Sequence, residues 1–239
     1  MEVCHAWFWL VQVGLRKLIL HNKIQALFRR AAAKIPTQNL KRLLFGLGGA
    51  KIENEAVLHA GAFVGSGCEV GERANIGCDA FLGQNVLVGN GAIVGDGAKL
   101  NNLELGANSH IEMRIVCIGA RQKQIKIGRH CYIGVGALLD HSSNISIGDF
   151  VHIAGPGTAL HTHSSVKMAL EGVEFDQDRR EYGEIKIGDH TWIGGHVTIY
   201  PGVTIGDHCV ILPNSVVHKD VPPYTMAGGV PMKFIKKTN

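Results

Sequence analysis

None of the six cysteines (Cys4, Cys68, Cys78, Cys117, Cys131, Cys209) stands in a Cys-x-x-Cys pair, so they read as reduced core residues of a cytosolic protein. Aromatic residues make up only 6% of the chain, against 31 glycines, a balance that suits a solenoid better than a bulky single core. No apolar run is long enough to cross a bilayer. The best stretch, residues 6–20 with Trp7, Phe8 and Trp9, is short and is interrupted by Arg16 and Lys17. It also lacks a basic n-region and a small-residue cleavage site, so a signal peptide is not expected. Acidic residues are nearly missing from residues 1–45, where Glu2 stands alone against eight Lys and Arg. Two compatible readings of this segment remain open: a helical cap on one end of the molecule, or a basic amphipathic helix touching an anionic membrane surface. Aromatic platforms are not interleaved with these basic residues, so no nucleic-acid partner is expected.

What the chain has in abundance is a period of six. From Leu58 the aliphatics Val64, Val70, Ile76, Leu82, Val88, Val94 and Leu100 follow at six-residue steps, and Gly comes directly after six of these eight. Two residues before each, from Val64 onward, sits a small or β-branched side chain: Ala62, Cys68, Ala74, Ala80, Val86, Ala92, Ala98. The lattice returns at Ile187, Ile193, Ile199, Ile205, Ile211 and Val217. Six is a multiple of the strand period and fits no helical stripe. Each hexad then supplies one extended side and a corner, where Gly is expected because it tolerates positive φ. Three sides close a triangular coil, with Leu58, Ile76 and Val94 in one column and Val64, Leu82 and Leu100 in the next. A sandwich of short strands would need irregular loop lengths instead.

The lattice breaks twice. Between Asn101 and Lys126 the register slips, which suggests a coil with an expanded corner but offers no constellation that demands a function. The second break is polar: Asp140-His141-Ser142-Ser143, then Gly155-Pro156-Gly157, then His161-Thr162-His163, then a charged non-repeating stretch over 164–183. A loop of this length inside a compact repeat is usually functional.

Ile187-Gly188-Asp189-His190-Thr191-Trp192-Ile193-Gly194-Gly195, Pro201-Gly202-Val203-Thr204-Ile205-Gly206, and Lys219-Asp220-Val221-Pro222-Pro223-Tyr224 with Ala227-Gly228-Gly229-Val230-Pro231 together resemble the hexapeptide-repeat acetyltransferases of the galactoside, maltose, nodulation and polysaccharide O-acetyltransferase type. The resemblance covers roughly residues 45–237 and implies an all-β fold, a left-handed parallel β-helix, with acetyl-CoA as cosubstrate and a sugar or glycan as acceptor. It implies a histidine general base at the foot of the long loop, matched by His163, with His161 in reserve because Gly155-Pro156-Gly157 alters the preceding context. A neutral imidazole suits direct transfer from the thioester. Asp140 falls where such enzymes place an acceptor-binding carboxylate, which can take two sugar hydroxyls at once. The cofactor residues implied are Trp192 at the pantetheine arm, Gly194 and Gly195 beside the thioester, Pro213, His218 and Lys219 along the arm, and Lys233 and Lys236 at the phosphates. The family more often has Ser, Ala and Arg at the positions of Gly195, Pro213 and Lys236.

The resemblance further implies a homotrimer with sites between subunits. The organisation expected is a basic helical segment over 1–45, a β-helix over 46–225 and a tail over 226–239. Placement is expected in the cytoplasm, or at the inner face of a membrane if residues 1–45 touch it. Other readings are an amino-sugar or nucleotide-sugar N-acetyltransferase, or a non-catalytic β-helical assembly subunit. No metal is expected: the zinc carbonic anhydrases built on such a scaffold need two histidines four residues apart, a pair this chain lacks. A bifunctional nucleotidyltransferase would need a Gly-rich phosphate loop near the N-terminus, also missing.

Overall fold

A computed structural model describes residues 22–119, 121–174 and 177–238, leaving the apolar stretch 6–20 outside the described residues. The chain folds as an all-β left-handed β-helix of about 10 turns. Three parallel sheets form its faces. The first begins at Lys51–Ile52, the second at Val57–Leu58 and the third at Phe63–Val64. Leu58 stacks on Ile76 and Ile76 on Val94; Val64 stacks on Leu82 and Leu82 on Leu100, the two columns the hexads predict. The small column from Ala62 to Ala98 is buried alongside them. Each fully buried aliphatic contributes about 1.5–3 kcal/mol relative to an exposed one, and the interior repeats that gain on every coil. Cys68 and Cys209 sit in this column, while Cys117 is buried with its thiol pushed up to about 11 by desolvation. Such thiols are inert.

The corners correct one expectation. Positive φ does not fall on the glycine after each aliphatic but two residues further on, at Gly61, Gly67, Arg73, Asp79, Asn85, Gly91 and Gly97. The glycine after the aliphatic is required by close approach instead: a Cβ on Gly65 would lie 1.4 Å from the Gly83 carbonyl oxygen, and one on Gly77 would lie 2.7 Å from the Asp96 nitrogen. Corner side chains also stack between coils. His130, Phe150, His190, His208 and Tyr224 form a ladder with ring centroids 4.8–5.0 Å apart, which is the inter-strand spacing.

Both ends of the solenoid are covered. Helix α1 (22–33) and helix α2 (Gln38–Leu47) close the first coil. The open edge at Leu58 is satisfied by side chains of α2 in place of a missing strand. Gln38 exchanges two 3.0 Å bonds with the Leu58 backbone, buried Lys41 donates to the Leu58 and His59 carbonyls at 2.8 and 2.7 Å, and Arg42 donates to Ala56. Arg29 of α1 donates to the Gly48 carbonyl. At least three of the eight basic residues of the N-terminal segment therefore serve the cap. The C-terminal residues, expected as a tail, supply strand Thr225–Gly228, which extends the second sheet, and Lys233–Lys237, which returns antiparallel to it.

Candidate active site

The two lattice breaks lie at one corner, between the third and first sheets. Coils of the regular type repeat every 18 residues, but Leu105 stacks on Ile127, Ile127 on Ile147 and Ile147 on Ile187, steps of 22, 20 and 40 residues. In each step the extra chain follows a third-sheet strand: after Val116–Ile118, after Leu138–Asp140 and after Ala159–Leu160. Ile118 lies beside Asp140 in the ladder, and the next coil brings Thr162 and His163 over both. The first break is thus the floor of the second, a relation the sequence reading missed because corner stacking is not visible in linear order.

At the top of this stack His163 Nδ1 lies 2.6 Å from Asp140 Oδ2. Asp140 is fully buried, which alone would raise its pKa. The donors around it, chiefly Ser142, then the His163 ring and the Thr162 N–H, outweigh burial and hold the carboxyl below its ordinary value. Ser142 N–H and Thr162 N–H donate at 3.0 and 2.9 Å, and the Thr162 hydroxyl donates to the Asp140 carbonyl at 2.7 Å. The Ser142 hydroxyl faces this group without reaching hydrogen-bonding geometry. With Asp140 ionised, His163 Nδ1 is the nitrogen that donates to it; in the neutral imidazole the lone pair is then on Nε2, which has no protein partner among the described residues.

Three features fix this pair. Gly119, with φ 131°, passes so close that a Cβ there would lie 2.7 Å from Ser142 N and 2.8 Å from Asp140 Oδ1. Neighbouring His141 is buried with Nδ1 unpartnered, and desolvation lowers its pKa despite the nearby Asp140. The inserted segment folds back as a two-stranded antiparallel ribbon, His163–Ser164 against Glu181–Tyr182, which pins the histidine's backbone. Between its arms lies helix α3 (Val166–Glu171). A cavity of about 250 Å³ opens beside His163, lined by Ser165, Met168, Ala169, Val173 and Arg180.

Asp140 has contacts other than the one the resemblance implies. The carboxylate has no exposed surface and is bonded to two N–H groups and the His163 imidazole, contacts that hold that ring in place. His161 is half-buried and makes no side-chain hydrogen bond among the described residues, so the reserve candidate lacks the orienting partner that His163 has.

The residues expected around the cofactor lie elsewhere. Trp192 is half-buried on the second sheet, between His152 and Val210. Gly194 and Gly195 turn the next corner, where a Cβ would lie 2.5 Å from Pro213 N and 2.6 Å from the Gly155 carbonyl oxygen respectively, so both are required by packing whatever else they touch. Pro213, His218 and Lys219 are exposed, and the Lys219 ammonium lies 5.0 Å over the Phe234 ring. Lys233 and Lys236 project from the final strand, with Lys236 on a cavity of about 290 Å³ shared with Phe234 and Thr225. No hydrogen bond, ion pair or ring contact joins this group to His163 among the described residues. Nor do the described residues include three His, Cys, Asp or Glu groups arranged to hold a metal ion.

Two family models match the chain: "bacterial transferase hexapeptide (six repeats)" over residues 184–219 and "hexapeptide repeat of succinyl-transferase" over residues 69–102. Escherichia coli galactoside O-acetyltransferase is 38% identical over 120 residues, covering 48% of this chain and 55% of its own. An Escherichia coli protein named "putative lipopolysaccharide biosynthesis O-acetyl transferase WbbJ" is 32% identical over 154 residues, covering 53% of this chain and 79% of its own. Among solved structures, the UDP-N-acetylglucosamine acyltransferase of Campylobacter jejuni superposes with a TM-score of 0.61 at 20% identity, over 79% of this chain and 73% of that one, a likeness of fold. The chain belongs to the hexapeptide-repeat acetyltransferases. It spans 55% of the length of the galactoside enzyme it matches.

Proposed function

We propose that the protein is an acetyl-CoA-dependent O-acetyltransferase that acetylates a hydroxyl of a sugar or surface glycan, with His163 as general base and no acyl-enzyme. The observation that carries this reading is the 2.6 Å contact of His163 with buried Asp140, which leaves Nε2 as the basic atom at the mouth of a cavity. The two relatives named for galactoside and lipopolysaccharide O-acetyl transfer support the acceptor class. In the transfer, Nε2 takes the proton as the acceptor oxygen attacks the acetyl carbonyl. The new C–O bond forms, the C–S bond breaks, and the proton passes from the imidazolium to the departing thiolate. Asp140 supports the charge that His163 carries between those events.

His163 rises from the corner beyond the third sheet, whereas Trp192 and the strand bearing Lys233 and Lys236 belong to the second. That separation favours a homotrimer in which the base of one subunit meets the cofactor face of the next.

The test is thiol release from acetyl-CoA with hydroxyl and amino sugars as acceptors. His163→Ala is expected to lower kcat by about 10²–10⁴ and His161→Ala to leave it within a fewfold of wild type. Activity that survives His163→Ala removes the base, and reaction of amines alone replaces the O-acetyl reading with N-acetyl transfer.

A further inference from the structure

Beside the candidate base the loop builds an array that proton transfer does not use. Tyr182 is the ladder partner of His163, and its ring centroid lies 6.2 Å from the imidazole. Two guanidinium groups lie over that ring, Arg121 at 4.2 Å and Arg180 at 5.9 Å. Arg121 comes from the first lattice break, two coils away in sequence, so only the stacked corner brings it here.

Among the described residues, the carboxylate that contacts Tyr182 is already engaged. Asp178 accepts from Arg180 Nε at 2.7 Å and from the Tyr182 hydroxyl at 2.5 Å; the Arg180 bond first, and then the Tyr182 bond, hold its carboxyl well below the usual range. Its charge is thereby committed to holding the loop. Glu171 lies 3.7 Å from Arg179, and Glu181, adjacent to Tyr182, alternates to the opposite face of the ribbon. Arg121 has no carboxylate within 4 Å among the described residues and makes no side-chain hydrogen bond there. Its Cζ lies over the aromatic ring and the residue is exposed, so the guanidinium N–H groups are open to solvent. That posture preserves the bidentate fork suited to carboxylate or phosphate. The adjoining cavity has an apolar floor of Met168, Ala169 and Val173, with Arg180 on its wall.

We propose that Arg121, seated on Tyr182 and assisted by Arg180, is an anion subsite that selects acceptors carrying a carboxylate or phosphate near the hydroxyl to be acetylated. The inference rests on the acetyltransferase reading above and narrows its substrate class to acidic sugars or sugar phosphates. The apolar floor takes the sugar's C–H face, the guanidinium takes the anion, and the hydroxyl is left facing Nε2.

The experiment compares methyl galactoside, galacturonate and galactose 1-phosphate as acceptors, reading thiol release from acetyl-CoA with wild type, Arg121→Gln, Arg121→Lys and Tyr182→Phe. The wild type is expected to favour an anionic acceptor in kcat/KM by about tenfold or more at low salt, the scale of one charge-assisted hydrogen bond. That ratio should collapse toward unity in Arg121→Gln through KM, recover in part in Arg121→Lys, persist in Tyr182→Phe, and fall as salt is raised. The galacturonate and phosphate arms decide which anion the site takes. Equal use of charged and neutral acceptors, or a preference indifferent to Arg121→Gln, overturns the subsite while leaving the acetyltransferase reading intact. Thiol release with none of the acceptors overturns both.

Discussion

The coils from Val57 to Leu100 and the stack of corners that ends at His163 are built from the same strands to opposite ends. In the regular coils every corner is as short as backbone contact allows, and Gly65 and Gly77 are the residues that permit it. Nothing polar is buried there beyond the backbone and the Cys68 thiol. At the other corner three successive coils carry extra chain, and the space so gained holds Asp140, His141, Ser142 and Thr162, all buried. The first region spends its residues on stacking and the second on a buried carboxylate paired with an imidazole. Gly119 marks the boundary between the two designs: it meets the close-packing demand of a corner glycine, but the atoms it spares are Asp140 Oδ1 and Ser142 N.

Three substitutions sharpen the contrast. The largest effect is expected in the regular coils, where Ile76→Ala should cost about 2–5 kcal/mol in denaturant unfolding while the folded fraction keeps its kcat. A loss of kcat in that variant would mean that the two regions are coupled. Next, Asp140→Asn should lower kcat by about 10–10² without a matching change in the KM for acetyl-CoA, because the amide supports the wrong ring tautomer. The pH profile of unfolding supplies the sign. Asp140 has a depressed folded pKa, so its contribution is full above the ordinary carboxyl value of 3.8 and is lost as pH falls through the folded value; Asp140→Asn should lack that acid limb. The smallest effect concerns His141. Its folded pKa lies below the ordinary 6.5, so the unfolded chain takes up the proton first and the folded protein loses stability as pH falls below 6.5; His141→Gln should flatten that slope. A slope unchanged by His141→Gln would place it elsewhere.

The place of the polar insertion is legible in the sequence; the contacts inside it are not. His163 stands out in the sequence by its place at the foot of the loop, and the structure pairs it with a buried carboxylate. For Asp140 the resemblance implies an acceptor contact, and the structure shows the carboxylate against the imidazole. Burial of a side chain at a corner depends on what the next coil lays over it. The corner glycines were selected correctly and explained wrongly, since a period of six cannot distinguish a residue that needs positive φ from one that needs no Cβ. Arg121 was passed over altogether, because its partner Tyr182 is supplied by a loop that returns from the far side of the insertion.

By itself the sequence determined the triangular winding, the two stacked columns and the position of the polar insertion, because a hydrophobic period is a local property that each coil repeats. Only the tertiary structure decided that the two breaks share one corner, that Asp140 orients His163, and that Arg121 lies beside them. Those relations depend on the number of residues by which each coil overshoots the repeat, and the overshoot takes a direction in space only when the coils stack.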